Sequence, residues 1–166
     1  MPTEEFRTLV NDYGARVLST AVRILGDADK AQDVHQEVFL AIWKRWHTYN
    51  GRTNWDAYLY RATVRKAIEL ARRSRNESLL KRQAPPSAGS GRPDARLRVS
   101  EFQQKLAGRL AQLPKRQAEV FVLSKMENLK AERIAELLGC SRETVRVHLH
   151  RALKRLSREL GDDLTE

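Results

Sequence analysis

Between residues 141 and 158 stand six lysines and arginines, at positions 142, 146, 151, 154, 155 and 158, against one acid, Glu143. On a helical wheel Val145, Leu149, Ala152, Leu153, Leu156 and Leu160 fall on one side, and Glu143, Arg146, Val147, His150 and Lys154 on the other. The apolar side suits a protein core. The cationic side suits phosphates, because each Lys or Arg that neutralises one releases a condensed counterion. Guanidinium forks at Arg142 and Arg146, near the start of the helix, match the paired acceptors of a guanine edge, with each good bidentate pair contributing about 1 to 3 kcal/mol. Arg151, Lys154 and Arg155 are expected to grip the backbone. Val147 gains nothing among charges in water, whereas it can meet a thymine methyl group. With Ser141 at the helix start, the duplex-reading set is Ser141, Arg142, Glu143, Arg146, Val147, His150, Arg151 and Lys154. The plain alternative is a solvated basic face.

A second constellation lies earlier. Trp55, Tyr58 and Tyr60 interleave with Arg61, Arg65, Lys66, Arg72 and Arg73. Flat rings beside phosphate partners suit an unpaired strand, since stacking contributes roughly 1 to 3 kcal/mol per base. Trp55, Tyr58, Arg61, Arg65, Lys66 and Arg72 are the candidates for that contact, while Trp43 and Trp46 are expected to pack inward. Chemistry of other kinds finds little support. No Gly-x-x-x-x-Gly-Lys loop is present, and His35, His47, His148 and His150 have no cysteine partners at zinc spacing. Asp27, Asp29, Asp33 and Glu37 match the acids common at a helix start better than a metal site. No catalytic, cofactor-binding or metal-binding residue is expected, and no small-molecule substrate.

The elements that must carry these residues are helices. Phe6, Leu9, Val10, Tyr13, Val17, Ala21 and Ile24 recur at helical spacing until Gly26. Asp27 can cap a second helix whose apolar side is Ala31, Val34, Val38, Ile42 and either Leu40 or Ala41, ending near Trp46. Turn formers fill 47–54, and Asn54 can cap a third helix from Trp55 to about Arg75. Pro, Gly and Ser dominate residues 82–94 and remove both helix propensity and core material. Apolar spacing resumes at Leu97, Phe102, Leu106, Leu110 and Leu113, and Pro114 opens a helix to about Met126. From Ala131 a short helix, a turn at Gly139 and a Ser141-capped second helix make a helix-turn-helix, with Ala135 small where the helices must approach. Cys140 is read as a small inward hydrophobe. The fold expected is all-α: two small helical domains, 5–75 and 97–160, joined by a flexible linker, 76–96.

Bulk properties agree. A net charge of +10, from 31 Lys and Arg against 21 Asp and Glu, draws the chain to a polyanion. Apolar runs reach about four residues, far short of the roughly 20 that span a bilayer, so no membrane insertion is expected. The acidic start Met1-Pro2-Thr3-Glu4-Glu5 is unlike a secretory signal, and a single cysteine cannot form an internal disulfide, so a cytoplasmic location is expected.

The run Asp33-Val34-His35-Gln36-Glu37-Val38-Phe39-Leu40-Ala41-Ile42-Trp43 resembles the second conserved region of bacterial RNA polymerase sigma factors, and Leu113-Pro114 through Leu156 resembles their fourth. With only a linker between, the chain resembles the small extracytoplasmic-function (ECF) branch. The resemblance implies a partner, core RNA polymerase, met by Asp33, Gln36 and Glu37. It also implies promoter DNA as ligand: the N-terminal domain opens the downstream minus-10 element with the third helix, and the C-terminal domain reads the upstream minus-35 element. An anti-sigma factor that masks the chain is implied as well. Departures are present. Val64, Arg65 and Glu69 stand where the family usually has Arg, Asn and Asp, and Val147-His148 replaces a usual Ser-Arg; Lys130 and Arg133 stand where Ser and Glu are common. The rival reading is a stand-alone helix-turn-helix regulator acting as a dimer, weakened by the lack of a long heptad seam in the N-terminal half.

Overall fold

The structure, a computed structural model, describes residues 2–81 and 95–164, and all regular structure among them is helical. Helix α1, Pro2–Leu25, carries Glu4 and Glu5 in its first turn and Arg23 in its last, the distribution that the helix dipole favours. Gly26, at φ 65°, ends it. Helix α2, Ala28–Lys44, opens on Asp27, whose carboxylate accepts from the N–H groups of Asp29 and Lys30 at 2.9 and 3.1 Å. Its buried face is Ala31, Val34, Val38, Phe39 and Ile42. Phe39 takes the place expected of Leu40 or Ala41, both of which are exposed. After a 3₁₀ turn at Trp46–Thr48, Asn54 caps α3, Trp55–Lys81, by accepting from the Ala57 N–H at 3.2 Å.

Helix α3 runs past Arg75, so residues 76–81 of the segment read as linker are helical, and 95 and 96 already belong to α4, Ala95–Leu110. The remainder of that segment, 82–94, lies outside the described residues. Helix α5, Lys115–Phe121, has Pro114 as its N-cap, one position earlier than the sequence suggests. It passes into a π-helical turn, Val122–Met126, with the Glu127 N–H bonded to the Val122 carbonyl at 3.0 Å, and Asn128 then turns the chain at φ 56°. Helices α6, Ala131–Leu138, and α7, Arg142–Leu164, complete the described residues.

The core is continuous across both halves. Leu9, Val17, Ile24, Val34, Ile42, Leu59 and Ile68 from the first, and Leu110, Val120, Leu123, Ile134, Val145 and Leu156 from the second, join one buried cluster. Helices α1 and α3 pack on α4, and α3 also meets α6. The sequence suggests two units joined by a flexible tether; in the structure the two units stand against each other. The contacts that join them link residues many turns apart, and helical periodicity carries no information about those. Among the described residues no helix is long and apolar enough to cross a membrane.

Candidate nucleic-acid interface

The helix-turn-helix is built from a few exact fits. Ile134, Leu137 and Leu138 of α6 and Val145, Ala152 and Leu156 of α7 are buried, and Ala135 allows the helices to approach. Gly139 stands at φ 66° with the left-handed geometry that a side chain resists. The Ser141 hydroxyl accepts from the Thr144 N–H at 3.1 Å and meets the Thr144 hydroxyl at 2.9 Å, so it serves the cap. Ser141, Arg142, Glu143, Arg146, Val147, His150, Arg151 and Lys154 are all exposed. Arg142, Arg146, His150 and Lys154 step four by four along α7, a stripe about 18 Å long at 1.5 Å per residue. Val147 is 46% exposed, an apolar group standing among charges. Leu153 departs from the wheel: it lies at the margin of the core and is exposed. Arg142 is not free. Its Nη1 donates to Glu132 Oε1 at 2.7 Å, and Glu132 is held below the usual carboxylate range by a backbone hydrogen bond first and Arg142 second.

The third-helix residues divide. Trp55 and Tyr58 belong to an aromatic cluster with Trp46 and Tyr49. Trp46 and Trp55 stack at 5.7 Å between centroids, and Tyr49 meets Trp55 edge-on at 4.9 Å. The Tyr49 and Tyr58 hydroxyls share a hydrogen bond at 2.9 Å, and burial, helped by that bond, pushes Tyr49 up to about 12. Trp46, Tyr49 and Trp55 of this cluster wall a cavity of about 350 Å³ with Tyr13, Asp12 and Glu5. Trp46 and Tyr49 were not among the strand-contact candidates; their clue in the sequence is one aromatic just before the turn 47–54 and one within it. Arg61 is half-buried, and Lys66 pairs with Glu37 at 3.3 Å and with Glu69 at 3.7 Å. Arg65 Nε donates to Glu119 Oε1 at 3.0 Å, and Arg72 donates to the Ala111 and Leu113 carbonyls at 3.0 and 2.9 Å. Of the positions that depart from the family pattern, Val64 is in the core and Glu69 lies beside Lys66 and Arg73.

On α2, Asp33 and Gln36 are exposed, but Glu37 turns toward α3, where Lys66 and Arg73 lie 3.3 and 3.5 Å away. At i, i+3 and i+4 the three candidates for polymerase contact lie on one side of α2, but the Glu37 carboxylate is engaged by α3. Gln36 instead borders an apolar groove of about 550 Å³ between α1 and α2, lined by Phe6, Val10, His35, Phe39, Leu40 and Trp43. Leu40 and Trp43 are 45% and 44% exposed there, so Trp43 does not pack inward as the sequence suggests. Phe6 covers one of its faces at 4.9 Å. His35 rests on Phe39 at 4.9 Å, and burial lowers its basicity. Gly14 makes room for it, since a Cβ at that position would stand 3.1 Å from His35 Nε2.

Comparison with known proteins agrees with these features. Residues 9–77 match the family described as Sigma-70 region 2, and residues 103–156 match Sigma-70, region 4. An RNA polymerase sigma-E factor of Streptomyces coelicolor is 33% identical over 156 residues, 94% of this chain and 86% of its own length. The ECF RNA polymerase sigma factor SigW of Bacillus subtilis is 21% identical over 169 residues, 96% of this chain and 90% of its own. The sigma factor RpoE of Bartonella quintana, solved in complex with the anti-sigma factor NepR, shares the fold at a TM-score of 0.55 and 20% identity, over 95% of this chain and 98% of that one. The chain belongs to the sigma-70 family of RNA polymerase sigma factors, in its ECF branch.

Proposed function

We propose that this sigma factor, which joins core RNA polymerase and directs it to promoters, divides the work between its two ends. Arg142, Arg146, Val147 and His150 read base edges of the upstream element, and Arg151 and Lys154 hold its phosphates. Trp55 and Tyr58, with Arg61, Arg65, Lys66 and Arg72, hold the opened downstream strand, and the aromatic cavity beside Trp46 and Tyr49 is wide enough to receive one unstacked base. The observation that carries this division is the exposed cationic stripe of α7, presented by a turn whose φ only glycine adopts with ease.

Core polymerase docks on α2. Gln36 borders the groove, Leu40 and Trp43 supply its exposed apolar surface, and Asp33 is exposed one turn earlier on α2, while Glu37 braces α2 against α3. An anti-sigma factor is a further partner, in keeping with the complex in which the Bartonella relative was solved. The chain carries out no catalysis of its own and works in the cytoplasm, beside polymerase and chromosome. The test is co-purification with core enzyme. Leu40→Asp and Trp43→Ala are each expected to weaken core binding about tenfold or more, the range of a buried aromatic or aliphatic anchor, while leaving duplex binding unchanged. Core binding that both variants leave intact would remove the groove from the interface.

A further inference from the structure

Glu143 is the one acid between residues 141 and 158, on a helix side otherwise rich in cations. It lies in the first turn of α7 and is exposed. Arg146, Val147 and His150 follow it by three, four and seven residues, so the four share one side of the helix. In a helix-turn-helix the first residues of the second helix are the ones that reach base edges. The neighbouring cations leave this carboxylate alone. Arg142 turns back across Gly139 to Glu132, with Nη1 2.7 Å from Oε1, and the charge of Arg146 also acts on Glu132. The cap of α7 is supplied by Ser141 and Thr144, so the Glu143 side chain is not spent there either. Among the described residues its carboxylate forms no hydrogen bond or ion pair. The helix dipole favours an acid anywhere in this turn. Here the acid stands beside Arg146 and Val147, where it repels the phosphates that its neighbours attract.

We propose that Glu143 is a specificity-determining residue for the upstream element and that it selects cytosine. The inference rests on the assignment of the α7 stripe to that element. In the major groove only two groups donate hydrogen bonds, the amino groups at cytosine N4 and adenine N6, while guanine and thymine present acceptors. An ionised carboxylate accepts and cannot donate. It is therefore repelled by guanine O6 and N7 and by thymine O4. Adenine is a poor partner as well, because its N7 acceptor stands beside N6 and faces the second carboxylate oxygen. Cytosine N4 adjoins a C–H edge and carries no such penalty. The negative charge thus lowers affinity for every duplex through the phosphates, and a hydrogen bond offsets the loss only where cytosine is presented. This is discrimination by repulsion. With a net charge of +10 the chain has attraction for DNA in surplus, so an acid at this position adds to selectivity more than it costs in binding.

The test is selection from a pool of linear duplexes randomised over roughly four helical turns. The full chain in complex with core polymerase is the bait, and the recovered duplexes are sequenced. The parent complex is expected to enrich an upstream motif with one position at which cytosine exceeds thymine about tenfold. Glu143→Gln adds an amide donor for adenine N7 and keeps an acceptor for N6, so the preference at that position alone should pass from cytosine to adenine. Glu143→Ala should leave that position without preference, while the free variant binds the unselected pool a few fold more tightly at low salt and no more tightly at high salt. A residue that serves only the helix dipole would shift the melting temperature and leave every base preference in place. Preferences unchanged in both variants, or weakened evenly over all positions, overturn the inference. A change confined to a position where the parent does not prefer cytosine overturns it too. Arg146→Ala in the same selection separates this from failure of the stripe assignment. If Arg146→Ala removes a preference and the Glu143 variants remove none, only the role of Glu143 falls. If the parent complex enriches no upstream motif, or Arg146→Ala also leaves every preference in place, it is the assignment of α7 that falls.

Discussion

Arg142 Nη1 stands 2.7 Å from Glu132 Oε1, so the first arginine of α7 is tied across the Gly139 turn to the helix before it. On DNA the same guanidinium must choose between that carboxylate and a base or phosphate. Glu132→Gln is expected to tighten binding of an upstream-element duplex a few fold at low salt, with the gain shrinking as salt is raised. Fluorescence anisotropy across a salt series reads this directly. An unchanged affinity at every salt concentration would mean that Arg142 makes no contact with the duplex.

Arg146 stands exposed on the same stripe and adds its charge to the lowering of the Glu132 pKa without a hydrogen bond to that residue. Arg146→Ala is expected to lose discrimination at one base pair, by about 1 to 3 kcal/mol, while binding of core polymerase is unaffected. Competition with duplexes substituted one position at a time checks it. A uniform loss over all sequences would reassign Arg146 to the phosphate backbone.

Much of this site is visible in the residues before any coordinates. The α6–turn–α7 unit is local: Gly139, the Ser141 cap and the buried Ile134, Leu138 and Val145 all act within a few turns of chain, and helical spacing exposes them. The Asp27 and Asn54 caps are legible for the same reason. What pattern could not reveal is the docking of the halves. Arg65 with Glu119, Arg23 with Glu127, and Asp56 between Arg16 and Arg133 join distant stretches, and each charge on its own reads as a solvated surface group. The groove lining was hidden for a related reason. Trp43 is as apolar as any core residue, and only the packing of α1 on α2 determines that Phe39 goes in and Trp43 stays half out. The π-helical turn escaped because an extra residue in one turn barely disturbs the apolar spacing.

Gly139 offers a test of stability. Its φ of 66° leaves space around a Cβ but not a favourable backbone, so Gly139→Ala is expected to cost about 1 kcal/mol and Gly139→Asn less. Thermal unfolding followed by circular dichroism measures both. Equal melting temperatures for glycine and alanine would show that the turn is not held in the left-handed region.

His35 gives the protein a pH dependence. Burial lowers its pKa below the usual value of 6.5. Between the lowered folded value and the unfolded one, the unfolded chain binds more protons, so stability rises with pH. The contribution of His35 is therefore present above about pH 6.5 and is lost as the pH falls toward its folded pKa. His35→Gln is expected to flatten the decline in unfolding free energy between about pH 7 and pH 5. Asp56 acts in a lower range: its hydrogen bond from Arg16, with Arg133 adding to it, depresses its pKa, and its contribution disappears only as the pH falls below the carboxylate range. A urea titration at several pH values distinguishes the two. A slope unchanged by His35→Gln would place the responsible proton elsewhere.

The most direct measurement is run-off transcription with purified core polymerase on fragments of the genome that encodes this chain. Core enzyme alone should give no discrete start on these fragments. With the chain added, at least one fragment should yield a transcript of a single defined length, and that transcript should vanish when Arg142 and Arg146 are both replaced by Ala. If a folded chain that binds core polymerase produces no defined start on any fragment, or if the start survives loss of both arginines, promoter recognition does not reside in the α7 stripe.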